Sequence, residues 1–269
     1  MSPAPGMLVV MRWLARGERE LPEQLDWLLP AERARLDMLR YTKRRTEYLL
    51  RRWTAKHAAA GALGWLGEDG TVPVDHLARV LVGNHPTGAP YVEVDGAPLG
   101  SDISVSDRAG WAVSMVGSQG MQAVGIDLEI VEPRTEGFVD DFLTGPEREV
   151  VRALPDRTDR DGAANLIWSA KEAALKVLRT GLRADTRTVE VSVPEGFSRP
   201  ARTDGWSPLA VRHAPSGRVF TGWWRRDGVF LLSLVAESGL AEPPTVLPGS
   251  SALADAVPTH SWLANPLAW

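Results

Sequence analysis

The chain has 269 residues, 44% hydrophobic and 24% charged, with a formal net charge of −4, the profile of a globular protein of one large domain or two modest lobes. It contains no cysteine, which excludes disulfide frameworks, thiolate zinc sites, thiol nucleophiles and iron–sulfur clusters, so any metal must sit on carboxylates or on the five histidines. No apolar run approaches the roughly 18 residues of a membrane span and no secretory signal pattern opens the chain, so a cytoplasmic protein with no membrane partner is expected. Of the 30 basic residues only four are lysine (Lys43, Lys56, Lys171, Lys176), so arginine is the general-purpose cation and each lysine calls for an explanation beyond compositional bias.

After a short opening tail the first half reads as a strand (Met7 to Leu14), short helical pieces from Pro22 to Arg40, and a long helix from Thr42 to Leu63 that Gly64 and Gly67 end. A loop from Gly83 to Pro90 leads to the short stretches Tyr91–Val94, Ile103–Ser106 and Trp111–Val116, with a turn at Asp95-Gly96, a pattern that predicts a small antiparallel sheet. The second half opens with a strand from Ala123 to Ile130 and passes through a helix at Gly145–Leu154 to a stronger one from Ala163 to Thr180, where Gly181 is the expected C′ residue. The strands Val189–Val193, Leu209–His213, Arg218–Trp224 and Val229–Ala236 follow, the last pair turned at Asp227-Gly228. The expected fold class is therefore α+β, a pair of similar lobes, each a small antiparallel sheet packed on a long helix. The expected divisions are an N-terminal lobe (1–121), a C-terminal lobe (122–238), and a tail (239–269) with five prolines, two acids and no Lys or Arg that reads as poorly ordered or draped on the surface. The repetition is architectural, since no residue-level repeat is evident.

Charge is uneven along the chain. Between Arg40 and Lys56 stand seven basic residues (Arg40, Lys43, Arg44, Arg45, Arg51, Arg52, Lys56) against one acid, Glu47. At about 100° per residue Arg45, Arg52 and Lys56 fall along one line beside an apolar arc of Leu49, Leu50 and Trp53, which predicts a cationic rail next to a core contact. The ordinary reading is a solvated basic face, and the functional one a site for a polyanion. Overall acidity and the lack of a second basic, aromatic-rich patch argue against nucleic acid.

Two segments carry the chemistry. Val124-Gly125-Ile126-Asp127-Leu128-Glu129 alternates strictly, so Asp127 and Glu129 share one face roughly 6–7 Å apart at the backbone, a spacing that lets their oxygens converge on one hard cation such as Mg²⁺. The alternative is a half-exposed strand with an acidic outer face. In Trp168-Ser169-Ala170-Lys171-Glu172-Ala173-Ala174-Leu175-Lys176, a helix stacks Trp168, Glu172 and Lys176 at i, i+4 and i+8 with Lys171 beside them. That can be an ordinary Glu-to-Lys helix pair, but two of the four lysines within six residues favours a chemical role. Three acids and two ammonium groups beside a basic helix suit a diphosphate: magnesium on its oxygens, cations at its edge and one carboxylate as general base. No P-loop or dinucleotide fingerprint is present, and His57, His76, His85, His213 and His260 show no metal-ligand spacing.

The motifs "VGIDLE" and "WSAKEAALK", in this order and preceded by the basic helix "KRRTEYLLRRWTAK", resemble the larger pseudo-dimeric class of 4′-phosphopantetheinyl transferases, over roughly Met7 to Glu237. The resemblance implies a pseudo-twofold, monomeric fold with coenzyme A between the lobes as substrate, Mg²⁺ on its pyrophosphate, and an apo acyl or peptidyl carrier protein of fatty-acid, polyketide or nonribosomal-peptide synthesis as acceptor. It implies Asp127, Glu129 and Glu172 as metal ligands and Glu172 as the base for the carrier's serine, which attacks the β-phosphorus of coenzyme A. Lys176 is implied to stabilise the pyrophosphate and the departing 3′,5′-ADP, with Lys171 nearby. Arg44, Arg45, Arg52 and Lys56 are implied against the nucleotide phosphates, with Ser106 and Arg108 in the same subsite.

Two departures stand out. The family usually carries Ser-His before a tryptophan, the histidine contacting the 3′-phosphate, whereas here Ser106-Asp107 precede Trp111; the basic residue often found in its Gly-x-Pro segment is Ala89. The resemblance therefore leads to two expectations for the 3′-phosphate: poor discrimination between coenzyme A and its dephospho form, or recruitment of Arg108. A catalytically weak carrier-protein or coenzyme-A binding module is the runner-up, and a metal-dependent hydrolase of nucleoside diphosphates a third reading.

Overall fold

The structure, a computed structural model, describes residues 11–117, 120, 123–192 and 205–259. The chain divides into two compact units, Met1–Ala123 with Pro244–Ala252, and Val124–Pro243 with Leu253–Trp269. Both are mixed α and β, as expected.

The first unit begins with β1 (Arg12–Gly17), then α1 (Pro30–Asp37), α2 (Thr42–Ala62) and the single turn α3 (Val74–Leu77). Strands β2 (Val80–Asn84), β3 (Pro90–Val94) and β4 (Ala97–Pro98) form a small antiparallel sheet, while β5 (Ile103–Arg108) and β6 (Trp111–Val116) extend antiparallel from β1. Helix α2 lies on β1, β5 and β6 through a face of small residues, with Ala55, Ala58 and Ala59 fully buried against Leu14, Ile103 and Val116. Alanines let the helix approach the sheet closely, so the core closes without long side chains. The Asp95-Gly96 turn has both residues at positive φ (52° and 79°), which a tight two-residue hairpin demands.

The second unit runs β7 (Val124–Ile130), α4 (Glu136–Phe142), α5 (Gly145–Ala153), α6 (Arg157–Val177), β8 (Val189–Ser192), β9 (Ser207–His213), β10 (Val219–Asp227) and β11 (Phe230–Ala236). Its five strands form one antiparallel sheet in the order β7-β11-β10-β9-β8, and α6 packs on β7 and β11. The chain then supplies β12 (Thr245–Val246), a parallel neighbour of β1 in the first unit. The tail is thus partly structural: Leu247 is a core residue of the first unit, packed where a Cβ on Gly61 would meet it at 2.7 Å. The tail's terminal residues, Trp262, Leu263, Leu267 and Trp269, lie outside the described residues, as do Met7–Val10 of the first expected strand and Val193 of another.

Three sequence expectations need correction. Helix α6 starts at Arg157, six residues earlier than Ala163 predicted: Asp156 occupies the N-cap position in extended backbone without a side-chain cap, and Gly162 hides a first stretch that is nevertheless helical. Its C′ residue is Arg179, at φ 60°, and not Gly181: the amides of Arg179 and Thr180 reach back to the carbonyls of Lys176 and Leu175 in a Schellman closure. There is also a residue-level repeat. Trp53-Thr54-Ala55-Lys56-His57-Ala58-Ala59 and Trp168-Ser169-Ala170-Lys171-Glu172-Ala173-Ala174 occupy the same place in two 21-residue helices, and α2 closes at Gly64 and Trp65 as α6 does at Arg179 and Thr180.

The repeat extends to a buried ion pair. Lys56 meets Glu32 at 2.7 Å and Lys171 meets Glu147 at 2.9 Å, with every one of these side chains at most 2% exposed. Each glutamate sits at the third position of the preceding helix and accepts that helix's N-cap amide (Leu29 or Thr144), then a strand amide (Val82 or Val191) with its other oxygen. Each lysine donates to two further carbonyls, of Trp27 and Leu77 in the first unit and of Thr186 and Val189 in the second. With so many partners the buried charges are compensated, and the long helix is fixed to the short one before it.

Candidate functional site

The site lies where α6 crosses β7. Gly125 makes the approach possible: a Cβ there would stand 1.9 Å from the carbonyl oxygen of Ala173, so only glycine lets helix and strand come this close. The strand alternation then aims Asp127 and Glu129 at the same helix. Lys176 Nζ donates to Asp127 Oδ1 at 2.9 Å and to the Ile126 carbonyl at 2.8 Å, and Trp168 Nε1 donates to Glu129 Oε1 at 3.0 Å. Glu172 lies between these two contacts on the helix. Asp161, Asn165, Trp168, Glu172 and Lys176 recur at intervals of four, three, four and four, so one stripe of α6 is polar where a helix covering a sheet is normally apolar.

The electrostatics mark Glu172. Burial, followed by the negative charge of Asp127, pushes its carboxyl up to about 7, with Glu129 adding to the effect and Lys176 opposing it. Among the described residues its buried Oε1 has no hydrogen-bond partner. Asp127 is only 5% exposed, and a carboxylate so placed is costly without a cation. The donor set is all oxygen, which suits a hard divalent ion such as Mg²⁺, and the orphaned oxygen of Glu172 fits a ligand role. Among the described residues, however, no three acidic or histidine side chains are gathered into a ready metal cage. Asp127 turns to Lys176, and Glu129 to Trp168 and Arg134.

Arg134 was not singled out by any sequence signal. Its Nη2 reaches Glu129 Oε2 at 3.5 Å and its Nε donates to Asn165 Oδ1 at 2.7 Å, while the guanidinium lies 4.5 Å over the ring of Phe138. Asn165, fully buried, donates in turn to the carbonyls of Glu132 and Asp161, both at 2.7 Å. Phe138 and Phe142 both pack edge-on against Trp168, with ring centroids 5.3 and 5.0 Å away. Next to Arg134 opens a cavity of about 400 Å³ with Val139, Val151, Arg152 and Asp161 among its walls.

Several expected phosphate ligands are placed otherwise. Lys56 and Lys171 are corrections: both are fully buried in their ion pairs, where neither can meet a ligand without dismantling the unit that holds it. The cationic rail is likewise mostly internal. Arg52 is 8% exposed, donates to Asn84 Oδ1 at 2.8 Å and lies 4.1 Å over the ring of Tyr48, while Arg45 closes the end of α1 through the carbonyls of Leu36 and Leu39. Burial lowers the pKa of Arg52, with Tyr48 and Glu32 opposing. Arg44 is well exposed and paired with Glu47 at 3.2 Å. On β5 Ser106 is buried and Arg108 partly so, and Asp107 between them takes Arg51 at 2.6 Å, so its charge is already countered. His57 stands in the first unit where Glu172 stands in the second; burial holds its pKa down at about 4 and its Nδ1 meets the Trp53 carbonyl at 2.8 Å, a neutral structural imidazole.

Residues 123–220, which apart from Ala123 lie in the second unit, match the family described as the 4′-phosphopantetheinyl transferase superfamily. The general chemistry of that superfamily is phosphopantetheinyl transfer. Among solved structures the chain is similar to the Thermotoga maritima holo-[acyl-carrier-protein] synthase, at 18% identity over 48% of this chain and 80% of that one, with a TM-score of 0.31. No curated protein matches. Among the described residues no helix is long and apolar enough to cross a membrane.

Proposed function

We propose that the chain transfers 4′-phosphopantetheine from coenzyme A to a serine of an apo acyl or peptidyl carrier protein, releasing 3′,5′-ADP, and does so with Mg²⁺. The observation that carries this reading is the polar stripe of α6 set against the acidic face of β7, with Glu172 poised near neutrality between Asp127 and Lys176. Asp127, Glu129 and Glu172 would hold the ion, which when bound neutralises charge on the pyrophosphate. In its ionised form Glu172 takes the proton of the carrier serine, directly or through water. The serine oxygen then bonds to the β-phosphorus as the bond to the departing ADP oxygen breaks, and Lys176 meets the charge that develops there. Arg44 is an exposed cation offered to the nucleotide phosphates.

The test is incubation with coenzyme A, Mg²⁺ and a panel of apo carriers, read by intact mass. The expected result is a phosphopantetheine adduct on at least one carrier, lost in Asp127→Ala and Glu172→Ala, which remove polar groups and not core side chains. Absence of adduct on every carrier, or full activity in either variant, refutes the reading. A catalytically weak binding module of the same fold is the second reading, favoured by the ungathered carboxylates and by Asp107 already bound to Arg51. It predicts carrier or coenzyme-A binding without transfer.

A further inference from the structure

Glu129 is held differently from the other two carboxylates. Its oxygens face two side chains that belong to neither the acidic set nor the lysines: Trp168 at Oε1 and Arg134 at Oε2. Both are themselves fixed. Trp168 is wedged by Phe138 and Phe142, and Arg134 is tied by Nε to Asn165 and by its own backbone amide to Asp161 Oδ1 at 3.1 Å. Asn165 and Trp168 are three residues apart on α6, hence on one face, and so a single helix governs both ends of the arrangement. A free glutamate has three rotatable side-chain bonds, and two directional donors on opposite oxygens remove much of that freedom before any ligand arrives.

We propose that Trp168 and Arg134, the latter braced by Asn165, are positioning residues that aim the Glu129 carboxylate at the divalent ion. The inference rests on the reading of Asp127, Glu129 and Glu172 as its ligands. Outer partners of this type orient the ligand and set metal affinity without touching the metal. The two donors contribute by different means. The indole N–H gives direction without charge. The guanidinium fork gives direction with a charge that opposes the incoming ion, so its value lies in its geometry, which an ammonium on a flexible stem does not reproduce.

Two substitutions separate positioning from packing and from charge. Trp168→Phe keeps a ring against Phe138 and Phe142 but deletes the N–H; Arg134→Lys keeps the charge but cannot reach Asn165 and Glu129 together. Mn²⁺ titrated into the intact chain, followed by paramagnetic resonance, is expected to bind about tenfold more weakly in each. The Mg²⁺ concentration for half-maximal transfer should rise in parallel, kcat at saturating Mg²⁺ should stay within about threefold of the parent, and the melting temperature should be unchanged for Trp168→Phe. Wild-type Mn²⁺ affinity in both variants overturns the inference while leaving the proposed function intact. A parent chain that takes up no Mn²⁺ overturns the metal reading and this inference with it.

Discussion

Replacing Lys171 by methionine separates a folding role from a chemical one. In the structure its ammonium is fully buried and donates to Glu147 and to the carbonyls of Thr186 and Val189. Burial alone pulls its pKa down, and Glu147 is the main influence holding the charge in place. Methionine fills most of the volume but leaves Glu147, 1% exposed, as a buried charge with, among the described residues, the amides of Thr144 and Val191 alone, and strips a donor from two carbonyls. Breaking a buried pair from one side costs about 3–5 kcal/mol. For a chain of this size each kcal/mol moves the melting temperature by about 2–4 °C, so a fall of roughly 6–20 °C is expected. Urea unfolding followed by far-ultraviolet circular dichroism should show the same loss, and the double variant Lys171→Met with Glu147→Gln should be more stable than Lys171→Met alone because no unpaired charge remains. At a temperature where the variant is still folded, KM for coenzyme A should match the parent. Unchanged stability with a raised KM would refute the reasoning and return Lys171 to the substrate.

Further outcomes are expected at the site. Because Glu172 is pushed up to about 7 from an ordinary 4.5, its contribution to the stability of the metal-free chain is greatest below pH 4.5 and is lost as the pH rises through 7. Metal binding needs the ionised form, so Mg²⁺ affinity should climb across that same window and level off above it, with proton release measured by calorimetry in buffers of different ionisation enthalpy; a flat profile in the parent contradicts the assignment, and Glu172→Gln should abolish the dependence. Gly125→Ala sets a methyl 1.9 Å from the Ala173 carbonyl oxygen, a backbone atom that cannot swing aside, and should cost at least the roughly 1–3 kcal/mol of an overpacked core in denaturant unfolding. Stability within a few tenths of a kcal/mol would show that β7 and α6 are not in close contact. Coenzyme A and its dephospho form should give comparable kcat/KM, since Asp107 occupies Arg51; a strong preference for coenzyme A that survives Asp107→Ala contradicts this.

What was legible in the sequence follows what periodicity can encode. The long helix α2 and most of the longer strands follow from apolar spacing and turn residues, and the Asp127/Glu129 face from alternation alone. Short elements were not visible: α4 depends on Thr135 accepting the Phe138 amide, β2 on a run cut by Gly83, and β12 on two residues that pair only because Leu247 is drawn into a core far away in sequence. At the site the sequence could name Trp168, Glu172 and Lys176 as stacked but could not say which charges face outward. A lysine beside a catalytic-looking glutamate reads as chemistry, yet one residue along a helix is a turn of about 100°, enough to carry Lys171 into the core while Glu172 stays on the stripe. Arg134 had no signal because its meaning lies in Asn165, which is 31 positions away.

The duplicated lysine–glutamate lock gives each molecule an internal control. The first unit has the lock with His57 and Gly61 where the second has Glu172 and Lys176, so it carries the same ion pair without the two side chains to which the proposal gives the chemistry. Damage that Lys56→Met and Lys171→Met inflict alike measures the cost of holding a helix in register. Whatever distinguishes the two can then be set against the chemistry proposed for the second unit. A screen that scores only activity would count both lysines as essential and mistake architecture for catalysis, and comparing the twin positions within one chain removes that ambiguity without a second protein.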